Sequence, residues 1–271
     1  DGVGHPTMRS LYSVTSHEIA HTWFQFLMAT NESKHSWMDE GFTSYIDDVA
    51  MNVILNEGKA LPNANAYKDY FRWVATGLEE PMTTHADRFK FNTGYGMSAY
   101  DKGSIFLSQL QYIIGKENFD NTLKKYFNDW SFRHPKPNDF IRSAEKVSGL
   151  ELDWYLLDWA QSTMTIDYSI NSVYGVDNKT KIVLKRIGQM GMPIDIRIVL
   201  ESGDYLDYNI PMTKMRGSKP LNNSTLLDSW SWAKPYYEFW INIDSKDVSK
   251  ILIDPKNEMA DIDRINNSLD L

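Results

Sequence analysis

Catalytic chemistry in this chain has its clearest source in His17-Glu18-Ile19-Ala20-His21. On a helix, positions i and i+4 share a face one turn apart, so both imidazoles can reach a single metal ion. Glu18 leaves the same turn beside them. It can hydrogen-bond a metal-bound water without ligating the metal, which suits a general base. Leu11, Val14, Ile19, Trp23, Phe24 and Phe26 surround the motif and predict a buried helix. Ionisable groups buried there need partners, and a metal ion supplies them.

A third ligand separates the possible metal sites. The metzincin pattern places Gly and His shortly after the second histidine, but Phe24 and Leu27 occupy those positions. The gluzincin pattern places a Glu on the next helix. Trp37-Met38-Asp39-Glu40-Gly41-Phe42 provides Glu40, with eighteen residues between it and His21. A short turn through Thr30–Ser36 would return the second helix antiparallel and set Glu40 opposite the histidines. Glu32 falls in that polar turn and is expected to be solvated. Two His and one Glu leave the fourth tetrahedral position open for water, the catalytic arrangement for zinc. One Zn2+ per chain is therefore expected on His17, His21 and Glu40.

HEIAHTWF followed by WMDEGFTSYI resembles the aminopeptidase N and leukotriene-hydrolase family of gluzincin metallopeptidases. That family's third element is Tyr-x-Lys-Gly, and Tyr100-Asp101-Lys102-Gly103 matches it sixty residues after Glu40. The resemblance runs along the chain and is densest over Thr15–Gly103. It implies that Tyr100 donates to the oxyanion of the tetrahedral intermediate. It also implies that Tyr95, flanked by Gly94 and Gly96, lines the substrate cleft. The activity it implies is zinc-assisted hydrolysis of peptide substrates, with an aminopeptidase first. An endopeptidase or oligopeptide hydrolase of the same clan, or a non-catalytic peptide-binding derivative, are the alternatives.

The chain departs from the family pattern at three places. Sixteen residues precede His17, where family members carry an amino-terminal β domain and the upper sheet of the catalytic domain. An upstream domain outside this chain is therefore an expected partner. The family's exopeptidase motif, Gly-x-Met-Glu-Asn, anchors the substrate amine through its Glu. Its nearest counterpart is Gly2-Val3-Gly4-His5-Pro6, with Gly4 at that position. A carboxylate that orients a ligating histidine is expected a turn or two past the Glu ligand. Ser44, Asp47 and Asp48 stand there; Asp47 is the candidate, though a solvated helix face would suit both aspartates.

The elements that must hold these residues follow from periodicity. Apolar residues recur at helical spacing up to Gln161, predicting helices over Thr7–Ala29, Trp37–Asn56, Ala64–Gly77, Ser98–Ile114, Lys116–Trp130, Pro137–Ser148 and Leu152–Ala160. Glu79–Gly96 is expected to be a long irregular loop of functional character. After Thr165 the period becomes two, predicting strands over Lys181–Arg186, Pro193–Leu200, Tyr205–Ile210, Tyr236–Asp244 and Lys250–Asp254. The expectation is a multi-domain α plus β chain. A mainly helical catalytic domain over residues 1–164, which the family resemblance implies is thermolysin-like, precedes a small β-sandwich over 165–271.

Composition narrows the function classes. A net charge of −8 over 271 residues argues against nucleic-acid binding, which needs a basic surface. No cysteine is present, so thiol nucleophiles, disulfides and cysteine-based zinc sites are excluded. No apolar run is long enough for a transmembrane segment. Asp1–Ser10 is polar and carries no signal peptide, so the chain reads as a piece of something longer. An exported setting, periplasmic or extracellular, is the favoured compartment.

Overall fold

The computed structural model describes residues 8–271. Helices come first: α1 (Met8–His21), α2 (Phe42–Ile54), α3 (Ala64–Val74), a short α4 (Asn92–Gly96), α5 (Gly103–Ile114), α6 (Lys116–Trp130), α7 (Pro137–Ser148) and a single turn, α8 (Asp153–Tyr155). Strands follow: β1 (Tyr168–Val176), β2 (Lys179–Arg186), β3 (Ile194–Leu200), β4 (Tyr205–Ile210), β5 (Thr225–Leu226), β6 (Tyr236–Ile241), β7 (Val248–Ile253) and β8 (Ser268–Asp270). The class is α plus β, as expected.

The strands form two sheets, one ordered β1-β2-β6 and the other β5-β4-β3-β7-β8. Ile182, Leu184, Phe239 and Ile241 of the first share a core with Ile194, Ile196, Ile198, Ile251 and Ile253 of the second. That core continues without a break into the helices through Tyr112, Ile113 and Tyr155. Polar contacts seal the junction. Gln109 on α5 donates to the carbonyl of Glu258 at 2.8 Å and accepts from the backbone N–H of Ala260 at 3.0 Å. Strand β1 escapes the period-two reading for a local reason. A bulge between Ile170 and Ser172 shifts its register on β2, so buried and exposed positions do not alternate cleanly along it.

Four predicted helices are interrupted, that over Leu152–Ala160 by the π turn Leu156–Ala160 directly after α8. A π-helical turn, Thr22–Leu27, follows directly on α1; another, Trp37–Gly41, precedes α2; a third, Met97–Lys102, precedes α5. A π turn inserts a residue into the helical repeat, which rotates everything beyond it by about 100° relative to an uninterrupted helix. Such turns collect at functional sites; the first three flank His21, contain Glu40 and contain Tyr100, while Leu156–Ala160 carries none of the site residues. Glu79–Gly96 is not wholly irregular, since it includes one 3-10 turn, Ala86–Arg88, and α4.

The expectation that α1 is buried fails. Arg9, Ser13, His17 and His21 recur every four residues and face α2 and its flanking turns: Arg9 pairs with Glu57, just past the end of α2, at 2.9 Å, and Ser13 donates to Asp47 of α2 at 2.7 Å. Partners that fall in number as α1 ascends make the two helices antiparallel. The apolar residues lie off that face and stay exposed, Leu11 51%, Val14 59% and Ile19 55% on α1, as does Phe26, 70%, on the π turn after it. Only Ala20 of α1 is buried. Period alone shows that a helix has an apolar face; which neighbour meets that face is a tertiary matter.

Candidate metal centre

His17 and His21 leave α1 one turn apart, and their rings meet edge to face with centroids 4.9 Å apart. Glu40 enters from the π turn Trp37–Gly41. Its Oε2 lies 3.2 Å from His17 Nε2 and 3.3 Å from His21 Nε2. Ligand atoms 2.0–2.1 Å from a tetrahedral zinc ion are separated by about 3.3 Å. The donor set and its spacing therefore fit zinc. Among the described residues, this trio alone brings three potential ligand atoms within 4.8 Å of one another.

Electrostatics agree with a charge-hungry site. The Glu40 carboxylate bonded to His17 raises the imidazole pKa above its ordinary value, against the opposing effect of burial, with Glu18 adding to the rise. Burial acts to raise Glu40, but the His17 and Tyr100 side chains hold it below the usual carboxylate range. Glu18 itself is exposed on α1, beside the trio and outside it. Glu32 is also exposed and outside it.

A carboxylate behind the ligands comes from a residue that sequence reasoning passed over. Asp39, buried next to Glu40, places Oδ1 2.7 Å from His21 Nδ1. The contact is at ion-pair distance but out of hydrogen-bond alignment, and the Thr43 hydroxyl shares the nitrogen at 3.3 Å. Desolvation raises Asp39 to about 6, with the nearby His21 working the other way. With Nδ1 engaged, Nε2 is the His21 nitrogen that faces Glu40 and would be free to hold a metal. The available signal was an Asp directly before the Glu ligand, inside a run otherwise destined for the core. Asp47 does not lie on a solvated face, as that reading had it. It is buried, and its Oδ2 accepts from Ser13, so it braces α1 against α2. Outer carboxylates of this kind contribute about 10–100-fold in metal affinity. Asp39→Asn should accordingly weaken zinc binding by about that factor in chelator competition, and unchanged affinity would remove Asp39 from the site.

Tyr100 stands on the π turn Met97–Lys102, its ring stacked on His17 at 5.9 Å and 15°. Burial and the adjoining Glu40 carboxylate push its phenol up, so it stays a protonated donor. Tyr95 is half-buried, with its ring 6.4 Å from Tyr100 and 5.7 Å from Phe89. The other described histidines serve elsewhere. His85 accepts from the backbone of Asp87, His134 contacts the Ala29 carbonyl, and His35 is half-buried away from the trio. His5 and the Gly2–Pro6 stretch lie outside the described residues.

The two turns that carry Glu40 and Tyr100 touch through their backbones. A Cβ added at Gly41 would lie 2.5 Å from the Cα of Gly103, and one at Gly103 would lie 2.8 Å from the Cα of Gly41. No side chain fits between them, so the glycine after Glu40 and the glycine after Lys102 answer one packing requirement.

Comparison with known proteins adds a family to this geometry. The peptidase family M1 domain matches residues 4–159. Human aminopeptidase B is 30% identical over 169 residues, which cover 55% of this chain and 26% of that protein. Aminopeptidase M1 of Arabidopsis thaliana is 24% identical over 225 residues, covering 82% of this chain and 24% of its own length. The chain thus spans about a quarter of the length of these relatives. In structure, aminopeptidase A of Legionella pneumophila, solved in complex with aspartic acid, aligns with a TM-score of 0.55 at 18% identity. That alignment covers 85% of this chain and 24% of the other, and it speaks to the fold.

Proposed function

Because the chain belongs to peptidase family M1, we propose that it hydrolyses peptide bonds with one zinc ion held by His17, His21 and Glu40, foremost as an aminopeptidase. The observation that carries this reading is the convergence of two imidazole nitrogens and one carboxylate oxygen within 4.8 Å, the oxygen standing from each nitrogen at the edge spacing of a zinc tetrahedron. When bound, zinc supplies Lewis-acid polarisation of the scissile carbonyl and makes water more acidic.

The chain's own groups do the rest. Asp39 and Thr43 fix His21 from behind. Glu18, exposed beside the ligands, takes the proton from the attacking water and returns it to the leaving amine. Tyr100, kept protonated, donates to the oxygen that gains charge as the carbonyl carbon becomes tetrahedral. Tyr95 and Phe89 supply an aromatic wall for the substrate. The apolar face of α1 supports one more element of the proposal: polypeptide upstream of this chain covers it in the working enzyme, where seven large side chains from Met8 to Phe26 would otherwise meet water.

Metal analysis joined to peptide turnover tests the reading. One zinc per chain with hydrolysis of an aminoacyl substrate is expected, and a zinc-loaded protein inert toward peptides would favour the non-catalytic alternative. The cleavage register has its own test. An exopeptidase needs a carboxylate for the free amine, because a charged amine desolvated without a counter-charge binds poorly. Gly4 stands where the family's anchoring Glu would be. This chain alone should therefore show little difference in kcat/KM between free and N-acetylated peptides, whereas a longer form carrying the anchors should prefer the free amine. A strong free-amine preference in the isolated chain would point to an anchoring carboxylate within it.

Tyr100→Phe should lower kcat on the order of a hundredfold and change KM little, because its bond strengthens only as charge develops. A loss confined to KM would make Tyr100 a substrate-binding residue instead.

A further inference from the structure

Lys102, two residues after Tyr100, is 1% exposed, and its Nζ lies 2.5 Å from Oε1 of Glu79, whose side chain is 6% exposed. The ammonium also donates to the carbonyl of Ser162 at 3.3 Å and sits over the rings of Trp159 and Tyr70 at 5.3 and 5.8 Å. The Trp159 indole N–H in turn donates to the Lys102 carbonyl at 3.4 Å. A charge pair this deep is a poor source of stability, since desolvation offsets most of the attraction and an apolar pair of equal volume often does as well. Its geometric consequence is larger. Glu79 opens the segment that carries Tyr95, and Lys102 closes the π turn that carries Tyr100. The backbone contact of Gly41 with Gly103 sets how near that turn comes to the Glu40 turn. The ion pair adds a second, side-chain tether on the same turn, from Lys102 to the start of the Tyr95 segment.

We propose that Lys102 and Glu79 are positioning residues for Tyr100: their buried ion pair fixes the rotation of the π turn and so aims the phenol at the metal centre. The proposal rests on the catalytic reading of Tyr100. A single broken partner would strand a charge in the core, so both are exchanged together. Lys102→Met with Glu79→Leu removes the charges and keeps volume; kcat, KM, zinc affinity and the zinc-free crystal structure are then compared in Tyr100 and Tyr100→Phe backgrounds.

The expected result is a kcat loss of tenfold or more with KM within twofold and zinc affinity unchanged. The Tyr100 hydroxyl should be displaced from Glu40 in the crystal. In the Tyr100→Phe background the same exchange should cost no further activity, because nothing is left to aim. If the double variant does not fold, Lys102→Gln with Glu79→Gln, which strands no charge and keeps polar partners, replaces it with the same measurements, and Lys102→Arg should retain most of the wild-type kcat. Full kcat in the charge-free variant, or a loss that multiplies with that of Tyr100→Phe, overturns the positioning role. Should Tyr100→Phe itself keep full kcat, the catalytic reading of Tyr100 falls and the proposal falls with it, and that outcome is visible before the pair is touched.

Discussion

Glu18→Gln is expected to reduce kcat by about 10²–10⁴-fold while zinc stays bound at one per chain. An amide cannot accept the proton of the attacking water, so the general-base step loses its acceptor. Zinc should remain because the three gathered donors are His17, His21 and Glu40, and Glu18 is exposed outside that group. Its exposure also leaves room for water and a substrate carbonyl, which a buried carboxylate would not have. Metal analysis beside single-turnover kinetics separates the two properties. Loss of zinc in step with loss of turnover would make Glu18 a ligand and break the division of roles between the two glutamates.

The complementary variant, Glu40→Gln, should fail in the opposite order. Glu40 is the only anionic member of the trio, and its Oε2 is the atom that both imidazoles approach. With an amide there, two neutral imidazoles would hold a dication without a counter-charge. Zinc affinity should fall by more than the about 10–100-fold expected for Asp39→Asn, since a ligand is lost rather than its support. Activity should recover in part when excess zinc refills the site, whereas Glu18→Gln should not respond to zinc at all. Chelator competition on the three variants gives the ranking, and wild-type affinity in Glu40→Gln would exclude it from the ligand set.

Residue spacing accounts for much of this molecule. His17, Glu18 and His21 need only 3.6 residues per turn to share a site, and the distance to Glu40 needs only a short reversal. Helix α7 runs from Pro137, behind a capping box, to the left-handed Gly149 that ends it. The alternation of Ile194, Ile196 and Ile198 is enough to set β3 with one face in the core. All of these depend on local repeat geometry, which a linear pattern records. The clustering of the three donors, His17, His21 and Glu40, was legible for the same reason.

Tertiary structure decided what local repeats do not encode. The π turns around Glu40 and Tyr100 are held by packing rather than by a residue signature, and the Gly41–Gly103 contact brings together motifs sixty-two positions apart. Asp39 looked like one acidic residue among many until burial put it against His21. Asp47 looked solvated until Ser13 reached it across the α1–α2 interface. Most plainly, the apolar residues of α1 were read as burial because hydrophobic period implies a core. Period measures which side chains share a face. Whether that face is covered depends on the free energy of contact with a neighbour, and in this chain the neighbour of α1 is α2, which meets its polar face instead.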